Sequence, residues 1–303
     1  MLENMNRRQF MVSSAGILAS SSVLGSCLAE ERVTTTFKIR QSLKLNMVAI
    51  KNATLIEKFQ CVKELGFDGV EPNAPGIDTK QLLEARDKTG LPIHGVVDSK
   101  HWKTRFTDPN EKVRAEGVAH LKTAIENCKT IGGTTVLVVP GRVGKDGDYK
   151  TCWNRSVPEI KKALPLAEKL GIKIAFENVW NDFLTTAEET LRYIKEFDSE
   201  LVGAYFDIGN INRYTDKPSS WIPVLGKHIM KLDIKGYSTT KAAEAKDVRK
   251  GFGVKIGAGT VDWAECVKEL KKINFNSWAT AEVKGGDRAR LTEIKKNMDK
   301  VLS

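Results

Sequence analysis

The chain has 303 residues, of which 41% are hydrophobic, and it carries a formal net charge of +10. This length and apolar content exclude a mainly disordered chain and suit one large α/β domain or two small ones. The basic residues form no arginine-rich block, and lysines are mixed with glutamates along the predicted helices, which is typical of a solvated surface. We therefore expect no nucleic-acid partner.

The paired arginines Arg7 and Arg8 begin a segment that resembles an export signal of the twin-arginine type. The Ser/Ala/Gly-rich apolar run that follows, residues 12–24, is too short to cross a membrane as a helix. It ends in V-L-G-S-C, which resembles a bacterial lipobox with Cys27 as the acylated residue. We expect residues 1–27 to be a twin-arginine/lipoprotein-type signal, with an ordinary signal peptide as the alternative.

Residues 29–36 are polar and show no periodicity, which predicts a tether, placed at 28–42, between the signal and a folded domain at 43–303. The protein is then exported to the periplasm or cell envelope, and its contact with the membrane is limited to a lipid anchor.

Apolar runs of strand length alternate with segments of helical period along the rest of the chain. The predicted strands are 45–50, 69–72, 92–97, 135–139, 172–177, 201–207, 229–234 and 277–283. The predicted helices are 55–65, 79–89, 110–131, 157–170, 185–197, 221–225, 261–273 and 288–302, and 235–260 is a long polar loop. This alternation predicts a parallel sheet closed into a single (β/α)8 barrel of the α/β class. A doubly wound sheet is the alternative, but no G-x-G-x-x-G turn follows the first strand.

The five cysteines lack the spacing of a zinc site or a disulfide scaffold. Cys61, Cys128 and Cys266 fall in amphipathic helix patterns and are expected in the core. Cys152 falls in a predicted loop with Arg142, Lys145, Trp153 and Arg155, so it is the one candidate for an exposed thiol.

Carboxylates occupy the ends of the predicted strands, which is where β/α barrels carry their chemistry. They are Glu71, Asp98, Glu177, Asp207, Asp233 and Glu282. Side chains alternate across a strand, so Ile174 and Phe176 would face the helices and Glu177 the barrel interior.

Glu177, Asp207, Asp233 and Glu282 are expected to meet at the barrel mouth. Their mutual repulsion is most simply relieved by one divalent cation, for which carboxylate oxygens favour Mn²⁺ or Mg²⁺. The alternative is that these acids are helix caps or exposed loop residues.

Four segments, I-A-F-E-N, Y-F-D-I-G-N, G-A-G-T-V-D-W and A-E-V, resemble the sugar phosphate isomerase/epimerase group of xylose isomerase-like TIM barrels. The resemblance runs from Lys44 to the end of the chain and implies that Glu177, Asp207 and Glu282 hold one divalent metal ion. The fourth ligand in that group is a histidine in an H-x-K-D motif. Here the motif begins with Asp233, which implies a more acidic site of oxygens alone, with Lys231 or Lys235 offsetting the charge.

The resemblance also implies a metal-dependent sugar isomerase or epimerase that abstracts a proton next to a carbonyl through an enediolate. Glu177 and Glu282 would form its catalytic acid–base pair. The expected substrate-binding residues are Glu71, His101, Trp102, Asn178, Asn210 and Lys255. The partner is a small carbohydrate, and self-association into a homo-oligomer stays open.

There are three alternatives, of which the first two remain open. A metal-dependent lyase or hydratase acting on keto-sugars or keto-glycosides fits an exported protein, because phosphorylated sugars are scarce outside the cytoplasm. A non-catalytic carbohydrate-binding lipoprotein would explain Asp233. An endonuclease IV activity would need a histidine-rich multi-zinc site, which four scattered histidines do not supply.

Overall fold

The structure is a computed structural model that describes residues 37–215 and 217–303. The predicted signal with Cys27, and the predicted tether as far as residue 36, lie outside the described residues.

Nine parallel strands in the described part of the chain form the barrel wall. They are β1 (Arg40–Lys44), β2 (Gly69–Glu71), β3 (Asn73–Ala74), β4 (Val96–Asp98), β5 (Thr135–Val138), β6 (Lys173–Glu177), β7 (Val202–Asp207), β8 (Ile229–Ile234) and β9 (Trp278–Ala281). The order across the sheet is β2-β1-β9-β8-β7-β6-β5-β4-β3.

Pro72 joins the two strands at the ends of this order, and so closes the ring. Its carbonyl accepts a hydrogen bond of 3.0 Å from the Val97 backbone N–H, on the β4 side. On the other side of the proline, the Val70 N–H donates to the carbonyl of Pro92 at 3.0 Å. β2 and β3 are therefore two halves of one strand, and the predicted (β/α)8 barrel is confirmed.

Eleven α-helices in the described part of the chain connect the strands. They are α1 (Leu55–Glu64), α2 (Thr79–Thr89), α3 (Glu111–Thr130), α4 (Tyr149–Lys161), α5 (Leu164–Leu170), α6 (Ala187–Lys195), α7 (Ile208–Ile211), α8 (Trp221–Leu225), α9 (Thr239–Glu244), α10 (Trp263–Lys272) and α11 (Arg288–Leu302). Side-chain caps begin many of them; Asp78, for example, accepts a bond from the Gln81 N–H at 3.0 Å. None of the described helices combines the length and apolar character that a membrane span requires.

The main hydrophobic core lies between the sheet and the helices. Ile174 and Phe176 pack into it, whereas Ala175 belongs to a small separate cluster with Leu137 and Tyr205 on the interior side of the wall. The alternation predicted for this strand is therefore confirmed, and it points Glu177 into the barrel.

The first strand was wrongly predicted at 45–50. The strand is Arg40–Lys44, and a 3-10 turn, Leu45–Met47, follows it. Residues 40–42, which the sequence assigns to the tether, are thus part of the barrel wall. The strand is polar because Ser42 and Lys44 point inward to polar partners and only Leu43 packs in the hydrophobic core.

The segment around Cys152 was also wrongly predicted. It lies in α4, which begins at the cap Asp148 and takes in Trp153 and Arg155. The Cys152 thiol is buried and donates to the Arg142 carbonyl at 3.1 Å, and burial raises its pKa to about 11. The Cys152 thiol is therefore an inert structural group. The predicted loop 235–260 likewise contains α9 and a 3-10 helix, Val248–Phe252.

Candidate active site

Four carboxylates meet at the C-terminal end of the barrel. Glu177 ends β6, Asp207 ends β7, Asp233 lies one residue before the end of β8, and Glu282 directly follows β9. One oxygen of each lies within 4.8 Å of the others. The structure therefore brings together the four acids that strand parity predicts to converge, and their role as metal ligands stays a prediction.

The four acids differ in their access to solvent. Asp207 and Asp233 have no exposed surface and Glu177 is 6% exposed, whereas 38% of the Glu282 side chain is exposed. Glu282 also borders a cavity of about 310 Å³ at the barrel mouth, whose wall includes Lys44. A small molecule therefore reaches the cluster from the Glu282 side.

Two buried amides hold the acids in place. The side-chain amide of Asn210 donates to Glu177 Oε1 at 3.2 Å and to Asp207 Oδ2 at 2.9 Å. Asn178 exchanges two hydrogen bonds with the backbone of Asp207, at 3.0 and 3.1 Å. Both amides were predicted to bind substrate, and in this structure their bonds tie the ends of β6 and β7 together.

Lys235 offsets part of the charge of the cluster, as the sequence suggested. Its ammonium lies 2.8 Å from Asp207 Oδ2 and also forms an ion pair with Glu282. Lys231, the other lysine proposed for this role, instead lies deeper, 3.9 Å from Glu71.

Lys44 is a charged partner that the sequence did not reveal. Its ammonium is buried 2.7 Å from Glu71 Oε2 and 3.1 Å from Asp233 Oδ2, and it also sits over the ring of Tyr205. Burial alone would lower the pKa of Lys44, but the charges of Asp233 and Glu71 raise it above its ordinary value. Asp233, where the sequence departs from the H-x-K-D motif that the resemblance implies, therefore has its own counter-charge.

Burial and mutual repulsion disfavour four charges in this cluster. Burial and the neighbouring Glu282 charge raise the pKa of Glu177 well above its ordinary value. Burial also raises the pKa of Asp207 to about 6 and holds that of Asp233 well above its ordinary value, despite the nearby lysines. At Glu282 burial acts in the same direction, but the charges of Lys235 and Lys44 and the hydrogen bond from Lys235 together outweigh it and lower the pKa. Without a further cation, protons take up part of the excess negative charge.

The residues present fit a divalent cation. Neither carboxylate oxygen of Asp233 accepts a hydrogen bond from the residues that the structure describes, although the Lys44 ammonium lies nearby. Buried acceptors without donors are costly and call for an ion or a water. Four carboxylates within reach of one point supply the hard oxygen ligands that Mg²⁺ and Mn²⁺ prefer.

The other residues that were predicted to bind substrate lie partly at the barrel mouth and partly in the barrel interior. His101 is buried, accepts a bond of 3.3 Å from the Val139 N–H, and is kept neutral because burial lowers its pKa to about 3. Trp102 packs edge-on against that ring and is 45% exposed. Lys255 lies on the rim, paired with Glu293.

Glu71 lies inside the barrel rather than at its open mouth. It has no exposed surface and accepts a hydrogen bond of 3.0 Å from the Tyr205 hydroxyl, besides its ion pair with Lys44. Its predicted contact with substrate is not supported by this position.

A chain of buried polar groups fills the barrel interior below the acids. Successive members are joined by contacts of 2.7 to 3.0 Å, in the order Lys231, His94, Ser42, Thr280, Tyr205 and Glu71. Burial, with Lys231 adding to it, lowers the pKa of His94, so the ring is neutral. Tyr205 and Thr280 each lie two residues before an acid of the cluster, Asp207 and Glu282, so strand alternation gives them the same inward direction. Ser42 lies on the first strand, which was wrongly predicted.

Comparisons with known proteins show which family has this architecture. Residues 59–302 match the model of a family described as xylose isomerase-like TIM barrel. An uncharacterised protein of Methanocaldococcus jannaschii is 26% identical over 274 residues, covering 82% of this chain and 86% of its own length. L-ribulose-5-phosphate 3-epimerase of Escherichia coli K12 is 22% identical over 238 residues, covering 73% and 78%.

Two solved structures share the fold at low identity. A D-tagatose 3-epimerase-like protein superposes with a TM-score of 0.71 at 23% identity and covers 87% of this chain and 98% of its own. The 3-keto-D-glucoside 4-epimerase of Escherichia coli superposes with a TM-score of 0.70 at 17% identity and covers 87% and 99%.

Proposed function

Because the chain belongs to the xylose isomerase-like TIM barrel family, we propose that it is a metal-dependent sugar isomerase or epimerase that moves a proton next to a carbonyl group. The observation that carries this proposal is the convergence of Glu177, Asp207, Asp233 and Glu282 within 4.8 Å at the barrel mouth. A relative named L-ribulose-5-phosphate 3-epimerase and a structural neighbour named D-tagatose 3-epimerase-like protein support a sugar as substrate.

The four carboxylates would hold one Mn²⁺ or Mg²⁺ ion. When bound, such an ion supplies Lewis-acid polarisation of a carbonyl and offsets the negative charge that develops on its oxygen. The all-oxygen ligand set is the reason for preferring these ions over zinc.

Glu177 and Glu282 are the proposed acid–base pair. One carboxylate removes the proton next to the carbonyl, and the other, in its protonated form, donates a proton to the neighbouring carbon or to the opposite face. The Asn210 amide fixes Glu177 at 3.2 Å, and Lys235 orients Glu282. Glu282 meets the incoming molecule first because it is the most exposed of the four.

A lyase or hydratase acting on keto-glycosides is the second candidate. Proton abstraction at the same position can expel a group on the next carbon. The favouring observation is a second cavity, of about 620 Å³, that also borders Glu282 and has room for the rest of a glycoside.

Metal analysis and solvent deuterium exchange test the proposal together. We expect metal analysis to find about one divalent ion per chain. NMR should show that solvent deuterium is incorporated into D-tagatose, L-ribulose or a 3-keto-glucoside. Glu177→Gln and Glu282→Gln should each abolish exchange while circular dichroism shows an intact fold. Glu188→Gln, at an exposed position of α6, is the matched control and should exchange normally.

The outcomes separate the candidates. A rearranged sugar supports the isomerase or epimerase, and an eliminated or hydrated product supports the second candidate. Absence of both metal and exchange would overturn the enzymatic proposal in favour of a carbohydrate-binding protein. Full exchange in either glutamine variant would remove that glutamate from the mechanism.

We also propose that the protein is exported and anchored through a lipid on Cys27, on the strength of the twin-arginine and lipobox patterns. Cell fractionation tests this: the full chain should sediment with membranes, and Cys27→Ala should not be acylated. A full chain that stays in the cytoplasm would contradict the proposal.

A further inference from the structure

A cavity of about 620 Å³ adjoins the carboxylate cluster on its solvent side. Glu282 and Lys235, which belong to the cluster, form part of its wall. The segment from Glu282 to Lys284 also lines the cavity of about 310 Å³ at the barrel mouth. The two cavities therefore adjoin at the proposed catalytic glutamate, and a molecule bound at that point extends naturally into the larger one.

The outer wall of the 620 Å³ cavity is positively charged. It carries Arg249, Lys255, Lys284 and Arg290. Two carboxylates compensate part of this charge.

The two carboxylates are Asp247 and Glu293, and each forms an ion pair with residues of the cavity wall. Asp247 pairs with Arg249 at 2.9 Å, and Glu293 pairs with both Lys255 and Arg290. Four cations against two carboxylates leave a net charge of two positive. Among the residues that the structure describes, Lys284 has no ion-pair partner within 4 Å.

Two aromatic rings complete the same cavity. Trp180 is 45% exposed, which is unusual for so large an apolar side chain, and its ring centroid lies 6.2 Å from that of Phe252. Both rings line the cavity. An exposed aromatic pair next to cations matches a ligand with one apolar face and one negative group.

We propose that this cavity binds a negatively charged substituent of the carbohydrate substrate, a carboxylate or a phosphate, while the apolar face of the ligand rests on Trp180 and Phe252. The inference rests on the proposed function, because it takes Glu282 as the point where the substrate reacts. It adds the class of substrate: an acidic sugar or acidic glycoside rather than a neutral one.

A matched set of glycosides tests the charge preference without turnover. 4-Nitrophenyl β-D-glucuronide and 4-nitrophenyl β-D-glucoside differ only in a carboxylate in place of a hydroxymethyl group, and the 6-phosphate of the glucoside adds the phosphate. Calorimetric titration of the full-length protein should show the glucuronide or the 6-phosphate binding about 10-fold more tightly than the glucoside. The preference should shrink as the ionic strength rises from about 0.02 M to about 0.5 M, because salt screens exposed charges.

Variants assign the preference to this wall. Lys284→Gln should reduce it roughly 3-fold, and Lys284→Gln with Arg249→Gln should nearly remove it. Trp180→Ala should weaken all three glycosides by a similar factor and leave the preference unchanged. Lys112→Gln, at an exposed position of α3 outside the cavity wall, should bind like the wild type.

Each result has a definite meaning. Tighter binding of the 6-phosphate assigns a phosphate ligand, and tighter binding of the glucuronide assigns a carboxylate. Equal affinities for charged and neutral glycosides, binding of none of them, or a preference that survives the double variant would overturn the proposal. Deuterium exchange is measured separately, so failure of the charge preference leaves the test of the proposed function intact, and failure of exchange leaves the charge preference measurable.

Discussion

Replacing Lys44 by methionine removes an ammonium group that lies between two buried carboxylates. Coulomb's law at an effective dielectric constant of about 20 gives roughly 6 kcal/mol for the 2.7 Å contact with Glu71 and roughly 5 kcal/mol for the 3.1 Å contact with Asp233. The cost of burying the ammonium offsets several kcal/mol of this attraction. The substitution itself strands both carboxylates, and we expect it to lower the free energy of unfolding by about 4 kcal/mol.

Denaturation by urea, followed by circular dichroism without divalent ions, measures this loss. The midpoint should fall while the slope stays the same, because the surface exposed on unfolding does not change. Lys88→Met is the matched control: its ammonium also lies 2.7 Å from a carboxylate, that of Glu84, but both side chains are half exposed. It should leave the midpoint unchanged, because solvent screens such pairs.

The double variant Lys44→Met with Glu71→Gln checks the assignment. It should cost less than the sum of the two single variants by about 2 kcal/mol, because the second change removes a carboxylate already left unpaired. Strict additivity, or a Lys44→Met variant as stable as Lys88→Met, would refute the reasoning from burial.

Three further substitutions test other parts of the barrel. Burial raises the pKa of Asp98 from 3.8 to about 7, so the stability of the protein falls as the pH rises between these two values. Asp98→Asn should therefore raise the free energy of unfolding by about 2 kcal/mol at pH 8 and leave it unchanged at pH 4. Equal effects at the two pH values would contradict this. Asp233→Asn should weaken Mn²⁺ binding more than about 10-fold by calorimetry, and unchanged affinity would exclude it as a ligand. A Cβ at Gly209 would lie 2.6 Å from the carbonyl oxygen of Lys235, so Gly209→Ala should destabilise the protein by about 1–3 kcal/mol. Thermal melts measure this loss, and an unchanged melting curve would contradict the prediction.

Much of the fold, and the four acids of the candidate site, were predictable because they depend on local pattern. Alternation along 172–177 is enough to turn Ile174 and Phe176 outward and Glu177 inward. The same argument applies to each strand end, and parallel strands bring these ends to one edge. Geometry that follows from one strand at a time can be inferred without knowing its neighbours.

Lys44 escaped prediction because its role depends on a neighbour in space. The strand R-Q-S-L-K has one core residue, Leu43, and therefore lacks the apolar run by which strands are recognised. Lys44 is directly paired in register with Glu71, a relation that exists only after β1 and β2 align. Because both groups are buried, loss of either one leaves an unpaired charge in the interior, and the ion pair therefore matters for stability.

The charged cavity was not predictable for a similar reason. Trp180, Arg249 and Lys284 come from three separate connections, after β6, after β8 and after β9. Each residue reads locally as an ordinary exposed side chain. Their shared wall arises from loop conformations that sequence pattern does not determine.

The polar chain from Lys231 to Glu71 also bears on how this barrel responds to temperature. Barrels of this type are usually filled with aliphatic side chains, whose hydration on unfolding raises the heat capacity. Exposure of hydroxyl, imidazole and ammonium groups lowers it instead. A barrel with this interior therefore has a smaller heat-capacity change per residue and a flatter stability curve, so that it loses less stability on cooling than an aliphatic barrel of the same size.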